Sequence, residues 1–375
     1  MDIQEAQAAF ERGNLQKTDL VCRAMLAKQP DHAEARALLQ RLIAHLGLDQ
    51  PVHSRPDAHR YLLIKAWGFG FWSDMDHVLG ALLVAELTGR IPLVHWGHNS
   101  LFRNPETDNA FETFFEPVSF AQWSHITAPG LTYFPPKWHV GNLGENNLDK
   151  WEGPGSRLTG LYFLNRPEQV LVSDFHVKVI DLMPWIPEGH PLHGLDRSAL
   201  YRRLFRRHIR LKPSLRQHVD ALWQAHFASD NWLAVHVRGT DKVHEFASLD
   251  VLNAQYHTSI QRILDVNPTL RIFLLTDSTE VVDDFQRRWG ARLLSLPCQR
   301  GSGIQGVHLS GHPGEELGRQ VITDAWLAAR CDYFLGNGAS NVSTGIRHIK
   351  DWPQGTYFLL GADFLGQTDH SLHNW

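Results

Sequence analysis

Little in this 375-residue sequence is built for oxidation, for membranes or for nucleic acid. It has only three cysteines, Cys22, Cys298 and Cys331, far apart and odd in number. They make neither a metal-binding spacing nor a disulfide framework, and they fit a reducing compartment. No apolar run approaches the roughly 18 residues of a membrane span. The opening "MDIQEAQAAF" lacks the basic and apolar regions of a signal peptide, so a cytoplasmic location is expected. Lys and Arg number 36 against 40 Asp and Glu, giving a formal charge of −4 and no basic track; nucleic acid is not an expected partner. Aromatic and imidazole groups are abundant instead: 13 Trp and 23 His, which suit carbohydrate and nucleotide surfaces but also ordinary cores.

The chain is long enough for two or three separate cores. Residues 1–46 read as amphipathic helices, "IQEAQAAFERGN", "TDLVCRAMLAKQPDH" and "HAEARALLQRLIAHLG". Gly13 and Pro30 stand where a tetratricopeptide repeat places them, while Thr18 and Cys22 depart from it. One and a half repeats cannot form a peptide groove, so a helical cap is expected. Residues 47–60 read as a linker. From residue 61 a strand, "YLLIK", meets the Gly-containing "AWGFGFWSD", a helix over 75–88 and a second strand, "IPLVHW". Residues 97–165 are irregular; "VLVSD" is a further strand, and helices are expected near 197–209 and 213–228.

The last third alternates: strands at 232–237, 271–277, 291–296, 332–337 and 356–360, helices at 250–265, 278–288, 315–330 and 340–349. Such βα repetition predicts parallel sheets. The expected fold is α/β: two Rossmann-like domains, 61–229 and 230–375, facing a cleft at the carboxyl ends of their strands.

Three stretches carry ionisable or anion-binding groups at such ends. "NWLAVHVRGTDKVHE" delivers His236, Arg238, Asp241, Lys242, His244 and Glu245 where a strand stops. Arginine forks two bonds onto a phosphate or carboxylate, a lysine adds charge, and a carboxylate can take a proton. "WGFGFWSDMDH" offers backbone amides near Gly68 and Gly70 ahead of a helix N-terminus, an anion-binding arrangement. Its Asp74 and Asp76 spell D-x-D, but they read as capping and first-turn residues, so no metal site is assigned. "TDAWLAARCDYFLGNGASNVS" places Asp324 on a helix, and Asn337, Ser340 and Asn341 between a strand and the next helix.

Taken in order and spacing, "HVRGTDK", "IFLLTDS" and "TDAWLAARCDYFLGNGASNVS" resemble the motifs of α-1,6-fucosyltransferases and nodulation-factor fucosyltransferases, a group that extends to protein O-fucosyltransferases. "GFGFWSDMDHVLGALLVAELTGRIPLV" resembles the same family's Gly loop and helix. The resemblance covers about 61–350 and is strongest over 232–350. It implies a GT-B fold and an inverting, metal-independent, cofactor-free transfer of fucose from GDP-fucose to a glycan or protein hydroxyl. By the same resemblance Arg238 grips the pyrophosphate, His236 and Asp324 contact guanine, and Gly68, Gly70, Ser340 and Asn341 approach the donor. Glu245, with Lys242, is the implied base, and Asp241 is its fallback. The sequence departs from the family where Gly239 replaces a second arginine and where Glu245 stands one residue closer to the motif. Another nucleotide sugar, or a non-catalytic carbohydrate- or protein-binding module on the same scaffold, are the alternatives.

Overall fold

The computed structural model describes residues 2–49, 59–146, 158–239, 249–301 and 313–361. Three helices open it: α1 (Ile3–Glu11), α2 (Leu15–Lys28) and α3 (Ala33–His45). Asp2, Asn14 and His32 cap them, each accepting a backbone N–H three residues on, and Gly13 turns the chain at φ +75°. The second helix begins at Leu15, three residues before the sequence pattern suggests, because the Asn14 side chain accepts the Lys17 N–H and caps it there. These helices lie down on the body of the protein. Gln16 bonds Asp181, Tyr162 donates its hydroxyl to the Gly13 carbonyl, and Arg23 sits 4.8 Å above the Trp185 ring.

The first sheet has the order β2-β1-β4-β3, all parallel: β1 (Tyr61–Lys65), β2 (Ile91–His95), β3 (Tyr133–Phe134) and β4 (Val170–Ser173). Its alternation is strict. Leu62, Ile64 and Leu171 face one core, while Tyr61, Leu63, Val170 and Val172 face another containing Trp138 and Ile126. Between β1 and β2 runs α4 (Phe71–Thr88), buried on nearly every side over its first four turns and closed by Gly89 in the left-handed region. The helix therefore starts four residues before the expected Met75. The short helices α5 (Phe111–Phe114), α6 (Trp123–Ile126) and α7 (Val179–Leu182) punctuate the irregular stretches.

Two longer helices follow, α8 (Arg197–His208) and α9 (Pro213–His226), and lead into the second sheet. This sheet has the order β7-β6-β5-β8-β9, again all parallel: β5 (Trp232–Val237), β6 (Arg271–Thr276), β7 (Leu293–Leu294), β8 (Tyr333–Asn337) and β9 (Tyr357–Leu360). Its helices are α10 (Leu249–Asn253), α11 (Tyr256–Val266), α12 (Thr279–Trp289), α13 (Gly314–Arg330) and α14 (Asn341–Ile349). Where one helix was expected over 250–265 there are two. The expected strand over 291–296 shrinks to Leu293–Leu294, because Gly290–Arg292 takes a 3-10 turn.

One hydrophobic core joins the two sheets. Leu62, Ile64 and Leu171 of the first share it with Trp232, Ala234, Phe273 and Phe334 of the second. At its centre α4 meets α14. A Cβ on Gly345 would stand 2.2 Å from the Trp72 ring, so glycine is what allows this approach. Further along, Tyr201 of α8 bonds Asp76 and stacks on His348, their rings 3.9 Å apart. Trp72 thus matches Gly345 and Asp76 matches His348, so the helices run in the same direction and their N-termini lie at the same end.

Alanine favours a helix over glycine by about 1 kcal/mol. At Gly345 it must displace a buried indole, so Gly345→Ala should instead destabilise the fold by about 1–3 kcal/mol. A urea titration reads this as a lower midpoint at unchanged slope; a raised midpoint would refute the contact.

Candidate functional site

The carboxyl ends of the strands gather the polar groups. Arg238 follows β5 and reaches sideways to Asp277, which follows β6. Asp277 also accepts the Gly239 N–H at 2.9 Å, so one carboxylate orients both the guanidinium and the turn that carries it. Two residues beyond the strand secure the same turn: Asn253 donates to the Arg238 carbonyl at 3.0 Å and Tyr256 to the His236 carbonyl at 2.6 Å. Gly239 is locked against its neighbour, since a Cβ there would meet the Ser278 Cβ at 2.7 Å. The corner that would hold a second arginine is already filled, which accounts physically for the departure from the family pattern.

His236 turns the other way, toward α14. Its Nδ1 lies 2.7 Å from Ser343 Oγ, and that oxygen already accepts the Asn337 N–H at 2.9 Å. We assign the Ser343 proton to Nδ1, which leaves Nε2 as the protonated ring nitrogen. Burial pushes His236 down to about 4, so the ring is neutral near pH 7.

Two helix N-termini frame the opposite side. Gly70 is the N-cap of α4, has no side chain to cap it, and has open space where a Cβ would project. Gly68 takes φ +86°, and its N–H is held by Asp74 at 2.9 Å. Asp74 thus fixes the loop from inside the helix, and it does not act as the expected cap. Ser340 occupies the N-cap of α14 yet makes no capping bond with its side chain. Next to it Asn341 Oδ1 and Asn337 Nδ2 are buried without a hydrogen-bond partner among the described residues. The parallel pairing of α4 with α14, in contact at Trp72 and Gly345, points both N-termini toward the same end of the helix pair.

Asp76 points elsewhere. His176 Nε2 lies 2.7 Å from its Oδ2, and Tyr201 bonds Oδ1. The D-x-D carboxylates therefore do not converge, and among the described residues no group of three or more His, Cys, Asp or Glu is placed to hold a metal. Asp324 lies on α13 with Arg300 as its nearby cation. Arg300 donates to Ser295 Oγ at 2.7 Å and to the Leu296 carbonyl at 2.8 Å, and its Nε is buried without a hydrogen-bond partner among the described residues. Asp241, Lys242, His244 and Glu245 lie outside the described residues.

Sequence reasoning missed Asp277, Tyr256, Asn253, Ser343 and His176. Asp277 had a signal, an acidic residue at the end of the strand beside the arginine. The others are single polar residues whose meaning comes only from what folds against them.

The fold and the site together define an α/β protein of two parallel sheets, with polar groups gathered at the carboxyl ends of its strands. No family model matches the chain. Nodulation protein Z of Bradyrhizobium diazoefficiens is 26% identical over 285 residues, 70% of this chain and 72% of that protein. Among solved structures, NodZ α-1,6-fucosyltransferase soaked with GDP-fucose aligns at TM-score 0.51 and 21% identity, covering 78% of this chain and 93% of that one. POFUT1 in complex with GDP-fucose aligns at TM-score 0.50 and 15% identity, covering 83% and 100%. The chain shares the GT-B fold of these structures.

Burial lifts the Asp324 carboxyl to about 7, with Arg300 opposing. The unfolded value is near 3.9. The folded protein thus keeps a proton that the unfolded chain releases, and this group's contribution is fullest below the unfolded value and declines as pH rises through about 7. Asp324→Asn is neutral throughout and escapes the decline. Relative to wild type, its melting temperature should rise between about pH 4 and about pH 7 and level off above. A gap that stays constant or shrinks would count against a protonated Asp324.

Proposed function

We propose that this protein transfers fucose from GDP-fucose to a hydroxyl of a glycan or protein, with inversion at the anomeric carbon, without a metal, in the cytoplasm. The observations that support the reading are Arg238, held by Asp277 at the end of β5, and the parallel packing of α4 on α14, whose N-caps Gly70 and Ser340 make no side-chain capping bond. They occur on the fold of NodZ and POFUT1 structures that contain GDP-fucose.

In this reading the leaving diphosphate is met from two directions. The Arg238 guanidinium bonds it from the second sheet, and amides near Gly68 and Gly70 reach it from the first. Ser340 and Asn341, whose side chains do not cap α14, complete the cradle. Positive groups fixed before the reaction cost no reorganisation as charge builds on the phosphates, and they take the place of a cation. Asp74 and Asp76, already engaged inside the protein, support a metal-free site. A neutral His236 with Nε2–H as donor suits an acceptor on a purine edge, and a protonated Asp324 supplies a second donor. The acceptor oxygen attacks from behind and gives its proton to a base, a role the family resemblance assigns to Glu245, assisted by Lys242, with Asp241 as the alternative.

The nucleotide is the first test. GDP at about 100 times its dissociation constant should stabilise the protein by ~2.7 kcal/mol in a thermal-shift assay. UDP should give less, and equal stabilisation by UDP would overturn the guanine assignment. Chelation with EDTA should leave GDP release from GDP-fucose unchanged. Arg238→Lys keeps the charge and loses the fork, so turnover should fall on the order of 10²–10³. Wild-type turnover in that variant would return Arg238 and Asp277 to the status of an ordinary ion pair.

A further inference from the structure

His176 is a histidine the proposed chemistry has not used, and its setting is that of a base. It follows β4 at the carboxyl end of the first sheet, one strand from the Gly68–Gly70 loop. Helix α4 grips its loop at three points. Asp76 bonds the ring, His77 Nδ1 accepts the Val177 N–H at 3.1 Å, and Gly80 lies so close that a Cβ there would stand 2.1 Å from the Val177 carbonyl. The His176 ring stacks on Trp67, centroids 5.8 Å apart and planes 21° from parallel, immediately before Gly68.

Asp76 fixes the tautomer. It is a buried carboxylate held below its usual range against its burial by the bonds from His176 and Tyr201. An ionised carboxylate only accepts, so Nε2 of His176 carries the proton and Nδ1 keeps a basic lone pair. The His176 side chain remains 16% exposed while that of Asp76 is 3% exposed. A carboxylate behind, an oriented imidazole in front and an unprotonated nitrogen beside a phosphate-binding loop are the parts of a general base.

We propose that His176, in place of the Glu245 or Asp241 that the family resemblance suggests, is the acceptor-side base of this site and that Asp76 is its positioning residue. The inference rests on the transferase reading above. As the acceptor oxygen bonds to the anomeric carbon, its proton passes to Nδ1. The bond from that carbon to the β-phosphate oxygen breaks, and its electron pair leaves with GDP. The imidazolium, stabilised by Asp76, then returns the proton to solvent.

The groups acting on His176 are Asp76 and His77 on α4 and Lys178 on its own loop, while Tyr201 on α8 bonds the far oxygen of Asp76. Burial first, and Lys178 after it, lower the His176 pKa against the pull of Asp76, so the neutral, basic form prevails near pH 7. His176 should therefore contribute an acid limb, a fall in rate on acidification below the ordinary histidine value of about 6.5.

Water serves as the acceptor in the test, with GDP release from GDP-fucose as the readout. His176→Ala should slow release on the order of 10²-fold. It should lose the acid limb of the pH profile, regain much of its rate in added imidazole, and keep the wild-type thermal shift with GDP. His176→Gln, which retains a donor for Asp76, should be as slow as His176→Ala. If GDP stabilises both variants and release continues at the wild-type rate, or if imidazole restores nothing, His176 merely pins its loop and the proposal falls with the transferase reading intact. A wild-type protein that binds GDP but releases none from GDP-fucose also overturns it, since a base poised at the donor activates water. Absence of GDP binding would instead sink the transferase reading.

Discussion

The close approach of α4 to α14 is the contact on which the rest of the site depends. It is possible only because position 345 has no side chain against the Trp72 ring. Two parallel sheets bury their strands on both faces, and each needs helices to cover them. Here one pair of helices covers both sheets at once, inside a continuous core. Parallel alignment of that pair then has an electrostatic consequence. Each N-terminus carries unsatisfied N–H groups and a partial positive charge, and aligned helices add these at one end. Antiparallel packing would bury similar area and place the two termini on opposite sides of the molecule.

Polar groups specify that alignment. A buried carboxylate costs several kcal/mol unless it is bonded and paired. Asp76 satisfies both oxygens with residues from two other segments, His176 after β4 and Tyr201 on α8. Tyr201 in turn stacks on His348 of α14. One carboxylate therefore sets the register of four pieces of chain, and a slip of a single residue along α4 would leave it unpaired in the core. His77 does the same for the next loop residue by accepting the Val177 N–H, and it stays neutral because burial drives it down to about 3.

Eight of the nine strands among the described residues were legible because parallel sheets write themselves as short apolar runs bounded by turn residues, while the two-residue β3 fell in the stretch over 97–165 that read as irregular. The fold class, the positions of His236 and Arg238 at a strand end, and those of Gly68 and Ser340 at helix starts follow from that alone. The start of α4 was not legible. Phe71 and Trp72 look like loop aromatics, Gly70 offers no capping side chain, and the residue that ties the loop down, Asp74, reaches backward from inside the helix. Gly239 was visible as a departure, but its cause is a steric one supplied by Ser278, far away in sequence. His176 was invisible for a related reason: one histidine among 23 has no periodicity, and only the Asp76 carboxylate, 100 residues distant, gives it direction.

Two-domain cleft proteins ordinarily divide their chemistry between halves that move. Here the groups on the first sheet are tied to one rigid element. The Gly68–Gly70 loop starts α4, and the loop carrying His176 is clamped to α4 at Asp76, His77 and Gly80. The distance from the Gly68–Gly70 loop to the imidazole is then set within a single helix and does not depend on how the second sheet sits. Arg238 and Asp277 follow strands of that second sheet, which packs on the first through the α4–α14 contact. Catalytic geometry tolerates only about 0.5 Å of error, a precision that packed helices provide and loops do not. A helix that fixes both the Gly68–Gly70 loop and the His176 ring, docked in parallel on a helix of the second sheet, places that tolerance on packed helices and not on loops.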